Sequence, residues 1–356
     1  MTSIGAATRS YEAWLRRELK VREADLALKH RLMASGVLPF LRGTFYRWVS
    51  LWHERCPELT DAPSVLAVGD LHIENFGTWR DAEGRLVWGI NDVDEAASMP
   101  YTIDLVRLAT SAVLAAKDRH LTMSAKALCK AILKGYRTSL ASGGRAFVLE
   151  EGQPALRAIA LSAEREPDRY WQHLASLRPV AAPATVRDLI AAQLPGPLAL
   201  FRTVRRVAGI GSLGRPRYVG IGLWHGAYVA HEAKAMLPSA YDWALDRPTA
   251  RIRGAEILAR AVRCPDPFLT IGDRWQLRRL GPHCSRIELA MLPERRDERH
   301  LLEAMGWETA NLHLGSPKAA ALAAADLERR PKFWLFEAAK RMAKATTADW
   351  QEWRRR

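Results

Sequence analysis

Asp70, Asn75 and Asp92 have side chains suited to phosphoryl transfer. Asp70 and Asn75 lie in Gly69-Asp70-Leu71-His72-Ile73-Glu74-Asn75-Phe76-Gly77, and Asp92 lies in Asn91-Asp92-Val93-Asp94-Glu95-Ala96. One carboxylate can take the proton of an attacking hydroxyl. An amide oxygen and a second carboxylate are hard donors of the kind that hold Mg²⁺ beside phosphate oxygens. Asp70 is therefore expected to accept or orient the acceptor proton, with His72 bracing it inside the same loop. Asn75 and Asp92 are expected to hold the metal, and Asp94 either reaches a second metal ion or serves structure only. A single aspartate at a strand end more often caps a turn. Three such groups between two apolar strands argue against that simpler reading.

The second half of the chain offers a place for the phosphates. Gly209-Ile210-Gly211-Ser212-Leu213-Gly214 follows a strand-like run, Phe201 to Val207, and precedes another, Tyr218 to Leu223. Glycines in a strand–turn–strand let backbone N–H groups approach phosphate oxygens. A dinucleotide-binding turn would lead into a helix, whereas this one leads into a strand. Gly209, Gly211, Ser212 and Gly214 are thus expected to contact phosphate. Tyr228-Val229-Ala230-His231-Glu232-Ala233-Lys234 reads as the next strand. Its Lys234 is expected to clamp the phosphates, with His231, on the opposite face, as the competing assignment. Glu256, on the following helix, either orients Lys234 through an ion pair or is a solvated surface charge.

These motifs must be positioned by the surrounding elements. Residues 8–36 read as one long helix. Val65 to Val68 and Leu86 to Ile90 read as strands, expected to pair as a hairpin through the polar turn at 80–84. Tyr101 to Lys117 and Leu121 to Leu140 are helical, and the Pro- and Ala-rich stretch 176–200 marks a linker or lobe boundary. Strands are expected at 268–271 and 275–280, and helices at 257–262, 300–314, 317–327 and 332–350. The 356 residues are enough for two lobes. Three regions are expected: a helical catalytic and metal-binding lobe (1–180), a β-rich glycine-loop lobe (181–299), and C-terminal helices (300–356) that rejoin the first.

The bulk composition excludes several classes. With 48% apolar and 26% charged residues the chain reads as soluble and globular. It has no apolar run of membrane-spanning length, and its polar, charged start is unlike a secretory signal. Four scattered cysteines without metal-ligand spacing fit free thiols in a reducing cytoplasm. The net charge of +14, from 53 Lys and Arg against 39 Asp and Glu, favours anionic partners such as nucleotides. No nucleic-acid motif accompanies it, which argues against nucleic-acid recognition.

Several of these motifs resemble a known family. Arg42-Gly43, Gly69-Asp70-Leu71-His72 with Asn75-Phe76-Gly77, Asn91 to Glu95, Asp104-Leu105-Val106-Arg107-Leu108-Ala109 with Ser111, and the glycine segment are similar to the bacterial domain of unknown function 2252 family, over roughly residues 30–315. That family in turn resembles the protein-kinase-like superfamily, above all the aminoglycoside and choline kinases. Their catalytic loop reads Gly-Asp-Leu-His followed by Asn, as Gly69 to Asn75 does. The resemblance implies an α+β, two-lobed, kinase-like fold using ATP and Mg²⁺, with Asp104 bracing the catalytic loop. In an ordinary kinase the glycine loop and lysine precede the catalytic loop. Here they follow it by about 140 residues, which implies a circular permutation.

The expected activity is transfer of the γ-phosphoryl group of Mg-ATP to a hydroxyl of a small molecule or protein. Nucleotidyl (AMP) transfer on the same fold is the main alternative. A non-catalytic nucleotide- or nucleic-acid-binding protein is a second. Asp70-Leu71-His72 also begins a two-metal phosphoesterase signature, but the blocks that signature next requires are missing.

Overall fold

An almost wholly buried helix, Thr102–Lys117, organises the first half of the molecule. The computed structural model describes residues 2–162, 165–247, 250–289, 292 and 297–356. The chain begins with α1 (Ile4–Glu18), α2 (Glu23–Ser35), α3 (Val37–Gly43) and α4 (Phe45–Arg55). Strands β1 (Ser64–Ala67), β2 (Phe76–Arg80), β3 (Leu86–Ile90) and β4 (Ala97–Pro100) follow. Next come the buried helix α5 (Thr102–Lys117), α6 (Ala125–Ser142), β5 (Phe147–Val148), α7 (Pro154–Ala160), α8 (Pro167–Ser176) and α9 (Ala184–Gln193). The second half holds β6 (Leu200–Val204), β7 (Arg217–Trp224), β8 (Ala227–Ala235), α10 (Ala240–Ala244), α11 (Gly254–Arg260), β9 (Thr270–Ile271) and β10 (Trp275–Leu280). It ends with α12 (Glu298–His313), α13 (Pro317–Arg329) and α14 (Trp334–Arg354).

The architecture is mixed α+β, with antiparallel pairing throughout its sheets. The largest apolar core joins α1 and α3–α6 to α12–α14 and the small sheets β1–β4 and β2–β3–β5. Helix α5 is buried on all sides and apolar apart from one polar stripe and two threonines, as a helix surrounded by protein is when its polar groups find partners. Helices α6 and α12 approach closely through two glycines: a Cβ on Gly135 would lie 1.8 Å from the Glu303 carbonyl oxygen, and one on Gly306 would lie 2.0 Å from that of Ile132. The last helix packs against the first five, and the Arg47–Asp349 ion pair joins α4 to α14 at 2.6 Å.

The five-stranded sheet has order β6-β7-β8-β10-β9. Its two faces are covered by different helices. Val186 and Ile190 of α9 pack with Tyr218, Ala233 and Leu277 on one face. Leu174 of α8 packs with Val219, Ile221, Ala230 and Leu280 on the other. The region 176–200 is thus more than a linker, because α9 is amphipathic enough to seal one face of the sheet.

Two local expectations are corrected. The helix expected over 8–36 breaks after Glu18, because the Arg22 N–H turns to the Gly214 carbonyl at 3.0 Å and ties the break to the glycine segment. The expected hairpin between Val65–Val68 and Leu86–Ile90 does not form. β1 pairs with β4, and β3 pairs with β2 across the turn after Arg80. The missed strand, Phe76-Gly77-Thr78-Trp79-Arg80, supplies buried Phe76 and Trp79 and claims the β3 edge instead. Asp94 lies in the irregular segment after β3.

Candidate functional site

One stripe of α5 holds the loop that carries Asp70. Asp104, Arg107 and Ser111 fall at i, i+3 and i+7, so they share a face. Asp104 accepts the backbone N–H groups of Val68 and Gly69, both at 2.7 Å. Arg107 donates to the Asp70 carboxylate through Nε at 2.7 Å and through a second nitrogen. Ser111 Oγ accepts the Ile73 N–H at 3.0 Å. Behind this stripe, His313 Nε2 donates to Asp104 at 3.0 Å and Tyr136 OH donates to His313 Nδ1 at 2.8 Å, all of it buried. The direction in which Asp70 leaves β1 is therefore set by α5, α6 and α12 together.

Arg107 has a fully buried side chain against the rings of Phe45 and Trp48, whose centroids lie 4.9 and 5.0 Å from its guanidinium carbon. Burial raises the Asp70 carboxyl above the ordinary carboxylate value, while Arg107 pulls against that rise. A carboxylate made more basic in this way is better matched to taking a proton. His72 stays neutral: burial, with Arg42, Arg107 and Arg286 nearby, holds it well below the usual histidine value. Its Nδ1 accepts the Glu74 N–H at 3.2 Å, which leaves the proton on Nε2.

Asn75 clips the two motifs together. Its amide nitrogen donates to the carbonyls of Asp70 (3.2 Å) and Asp92 (2.9 Å), and its Oδ1 accepts the Asp92 N–H at 2.9 Å. The Asp92 side chain is 45% exposed in the cleft, while Asp94 is buried. Lys234 bridges both carboxylates, at 3.2 Å to Asp92 and 2.6 Å to Asp94. Burial and the neighbouring Asp92 charge push the Asp94 carboxyl well above its ordinary value. Burial acts on Asp92 in the same sense, but Lys234 overcomes it and leaves that carboxyl below its usual range.

The glycine segment closes the cleft from the other side. It joins β6 to β7, and Ile210 and Leu213 anchor it among Ile4, Met33 and Phe40. Gly211 faces the site: a Cβ there would lie 3.5 Å from Asp70 Oδ2 and 3.2 Å from the Arg42 carbonyl oxygen. Buried Lys29 donates to the Gly211 carbonyl at 3.1 Å. Gly209, Gly211 and Ser212 line the cleft with Asp70, His72, Asn75, Asp92 and Asp94. The cleft is narrow, about 50 Å³, and open to solvent.

Two expected members sit elsewhere. Gly214 is turned away, against Leu26 and the Arg22 N–H. Glu256 does not reach Lys234; its carboxylate pairs with Arg253, Arg251 and Arg260. Lys234, and not His231, reaches the Asp92 and Asp94 carboxylates, because the two residues are three apart on one strand and point to opposite faces. The His231 ring lies edge-on to Phe268 instead.

Sequence reasoning missed the arginines. Arg42 pairs with Glu74, and Arg215 contacts Glu95 at 3.2 Å and Asp94 at 3.9 Å. Arg286 lies at the cleft wall, paired with Glu288 at 2.6 Å. The one legible signal was the polar stripe Asp104, Arg107 and Ser111 in an otherwise apolar helix, which marks a buried polar network.

Glu308 of α12 braces the site from behind. Its Oε1 accepts the Ile90 N–H at 3.3 Å, and its Oε2 accepts from Asn311 at 2.8 Å. Burial pushes its carboxyl from 4.5 up to about 7. The folded protein therefore holds a proton there that the unfolded chain has already lost. This contribution to stability is complete below about pH 4.5 and is lost as the pH rises to about 7. In Glu308→Leu that part of the slope of unfolding free energy against pH should vanish, whatever the offset in stability. Urea titrations at half-unit pH steps read it, and an unchanged slope would refute the assignment.

Residues 21–176 match the model of a family described as "Uncharacterized protein conserved in bacteria (DUF2252)". The matched stretch contains Asp70, Asn75, Asp92 and the α5 stripe, and it stops before the glycine segment. The match thus supports the expected resemblance to the DUF2252 family over the first half of the chain. No curated protein and no solved structure matches the chain. Among the described residues, no helix is long and apolar enough to cross a membrane. Among those residues also, no group of three or more His, Cys, Asp and Glu side chains is disposed to hold a metal ion.

Proposed function

We propose that this protein is a Mg-ATP-dependent phosphotransferase that passes the γ-phosphoryl group to a hydroxyl of a small molecule or protein. The observation that carries the reading is the meeting, in one cleft, of the Asp70–Asn75–Asp92 clip and the glycine segment, with the buried Lys234 ammonium bridging Asp92 and Asp94 behind the cleft wall. Asp70 takes or orients the acceptor proton. Backbone N–H groups at 209–211 and the Lys234 ammonium contact the phosphates, the Ser212 N–H being held by the Gly209 carbonyl at 3.1 Å. Catalysis in this scheme comes from positioning and charge neutralisation.

The donor set suits Mg²⁺: Asp92 offers a carboxylate open to the cleft, and Asn75 Oδ1 keeps a lone pair beyond the one used by the Asp92 N–H. Asp92 and Asn75 would hold the ion, with Asp94 beside them. The ion, when bound, neutralises phosphate charge. Lys234 must then exchange part of its pairing with Asp92 for phosphate oxygen, while Asp94 keeps it in place.

The kinase-like lobe arrangement rests on the sheet. Its glycine turn lies between the first two strands and its buried lysine on the third, the placement that protein kinases use. Among the described residues no Lys–Glu pair of the kinase type accompanies it, and Asp94 takes that place. The permutation draws support from the termini, since α14 packs beside α1–α5 and Arg356 hydrogen-bonds Ser3 at 3.4 Å. On this reading 1–180 and 300–356 form the catalytic lobe and 181–299 the glycine-loop lobe.

Incubation with γ-labelled and α-labelled ATP plus a metabolite extract tests this. Label passing from the γ position to a product is the expected result. Label passing from the α position would replace the reading with AMP transfer, and no ATP turnover with any extract would remove the catalytic reading.

A further inference from the structure

Away from the cleft, a groove runs between α6 and the start of α14, sharing no residue with the proposed active site. Its floor is apolar: Leu133 and Phe336 line it, and Phe333 is 41% exposed at its edge. Its walls are cationic, with Lys126, Lys130 and Lys332 among the residues around that floor and no acidic side chain lining it. Among the described residues none of these three lysines is paired with a carboxylate. The nearby Lys134 is paired with Glu303 at 2.9 Å. Lys126 Nζ sits 3.8 Å from the Phe333 ring centroid and Lys332 Nζ 5.6 Å away, so the cations are gathered over the aromatic edge.

Shape and charge narrow the occupant. The lining on α6 runs from Ser124 to Thr138, about 21 Å at ~1.5 Å per residue, or roughly four helical turns. The facing wall, Lys332 to Phe336, spans about one turn of that length. An apolar floor edged by lysines in this way complements a helix with one apolar face and acidic flanks. A nucleic-acid backbone offers phosphates and no apolar stripe, so it would leave the apolar floor of Leu133 and Phe336 without a partner. A bilayer surface cannot follow a concave trough.

We propose that this groove docks an acidic amphipathic helix of a partner protein. The apolar face of that helix lies on Leu133, Phe333 and Phe336, and its carboxylates meet Lys126, Lys130 and Lys332.

The test uses the full chain and fluorescence anisotropy. One fluorescein-labelled 15-residue probe places Leu and Glu at helical spacing, and a second has the same composition scrambled. Duplex DNA and phosphatidylserine vesicles are the competing probes. The patterned peptide should bind at least tenfold more tightly than the scrambled one, and more weakly as salt rises. Lys126→Glu with Lys130→Glu, and separately Phe333→Ala, should each lose at least tenfold. These residues are exposed, so an unchanged thermal midpoint and unchanged Mg-ATP handling are also expected. Equal binding of the two peptides would overturn the proposal, as would patterned-peptide binding indifferent to these substitutions. Binding of duplex or vesicles at this groove, with the peptide excluded, would assign it to another class of partner.

Discussion

Arg107→Met is expected to lower the unfolding free energy by about 3–5 kcal/mol, the cost of leaving one member of a buried ion pair alone. The substitution removes the partner of Asp70, the donor to the Leu41 carbonyl and the cation against Phe45 and Trp48. The double variant Arg107→Met with Asp70→Leu should recover much of that loss, because it strands neither charge. Urea unfolding of the two single variants and the double closes the cycle. A singly substituted Arg107→Met protein as stable as the parent would show that the pair does not hold the loop. The same geometry dictates how Asp70 is to be tested as the base. Asp70→Ala would strand Arg107, whereas Asp70→Asn keeps an oxygen facing it. The asparagine variant should retain affinity for Mg-ATP by calorimetry and lose transfer. Full activity in that variant would take Asp70 out of the base position.

Asp92→Ala is expected to reduce Mg-ATP turnover by about 100-fold or more, as the loss of a charge-stabilising group at a reacting phosphate does. The fold should survive. Asn75 grips the backbone N–H and carbonyl of residue 92 whatever its side chain, and Lys234 keeps Asp94 at 2.6 Å. An unchanged thermal midpoint with ATP consumption at background is the predicted pair of results. Undiminished consumption would refute the metal-holding role. Asn75→Ala should behave differently, since it releases the Asp70 and Asp92 segments from each other and costs stability as well as turnover.

The elements carrying the motifs were legible for physical reasons. Leu86 to Ile90 and Tyr218 to Leu223 are short apolar runs bounded by turn residues, and they form β3 and the middle of β7. The hairpin error had an equally physical origin. Val65–Val68 and Leu86–Ile90 are both plausible strands, but pairing depends on which edges are free. Phe76 to Arg80, with glycine, threonine and arginine among its residues, does not announce itself as the strand that takes the β3 edge. Glu256 shows the same limit for charges: a helix rich in arginine supplies nearer partners than a lysine on a strand.

What the sequence determined by itself was local chemistry. It specified which side chains can take a proton, hold a hard cation or leave room for phosphate, and which strand ends and turns carry them. Whether they meet is a long-range matter. Lys234 lies 142 positions from Asp92 in the chain, yet its ammonium bridges Asp92 and Asp94. Only packing decided that Arg107 and not solvent would face Asp70, that Asn75 would spend its amide clipping two backbones together, and that Gly214 would turn away while Gly211 faced the cleft. Each outcome follows from burial. A polar group taken out of water must find a partner, and which partner is within reach depends on how the helices and sheets stack, not on spacing along the chain.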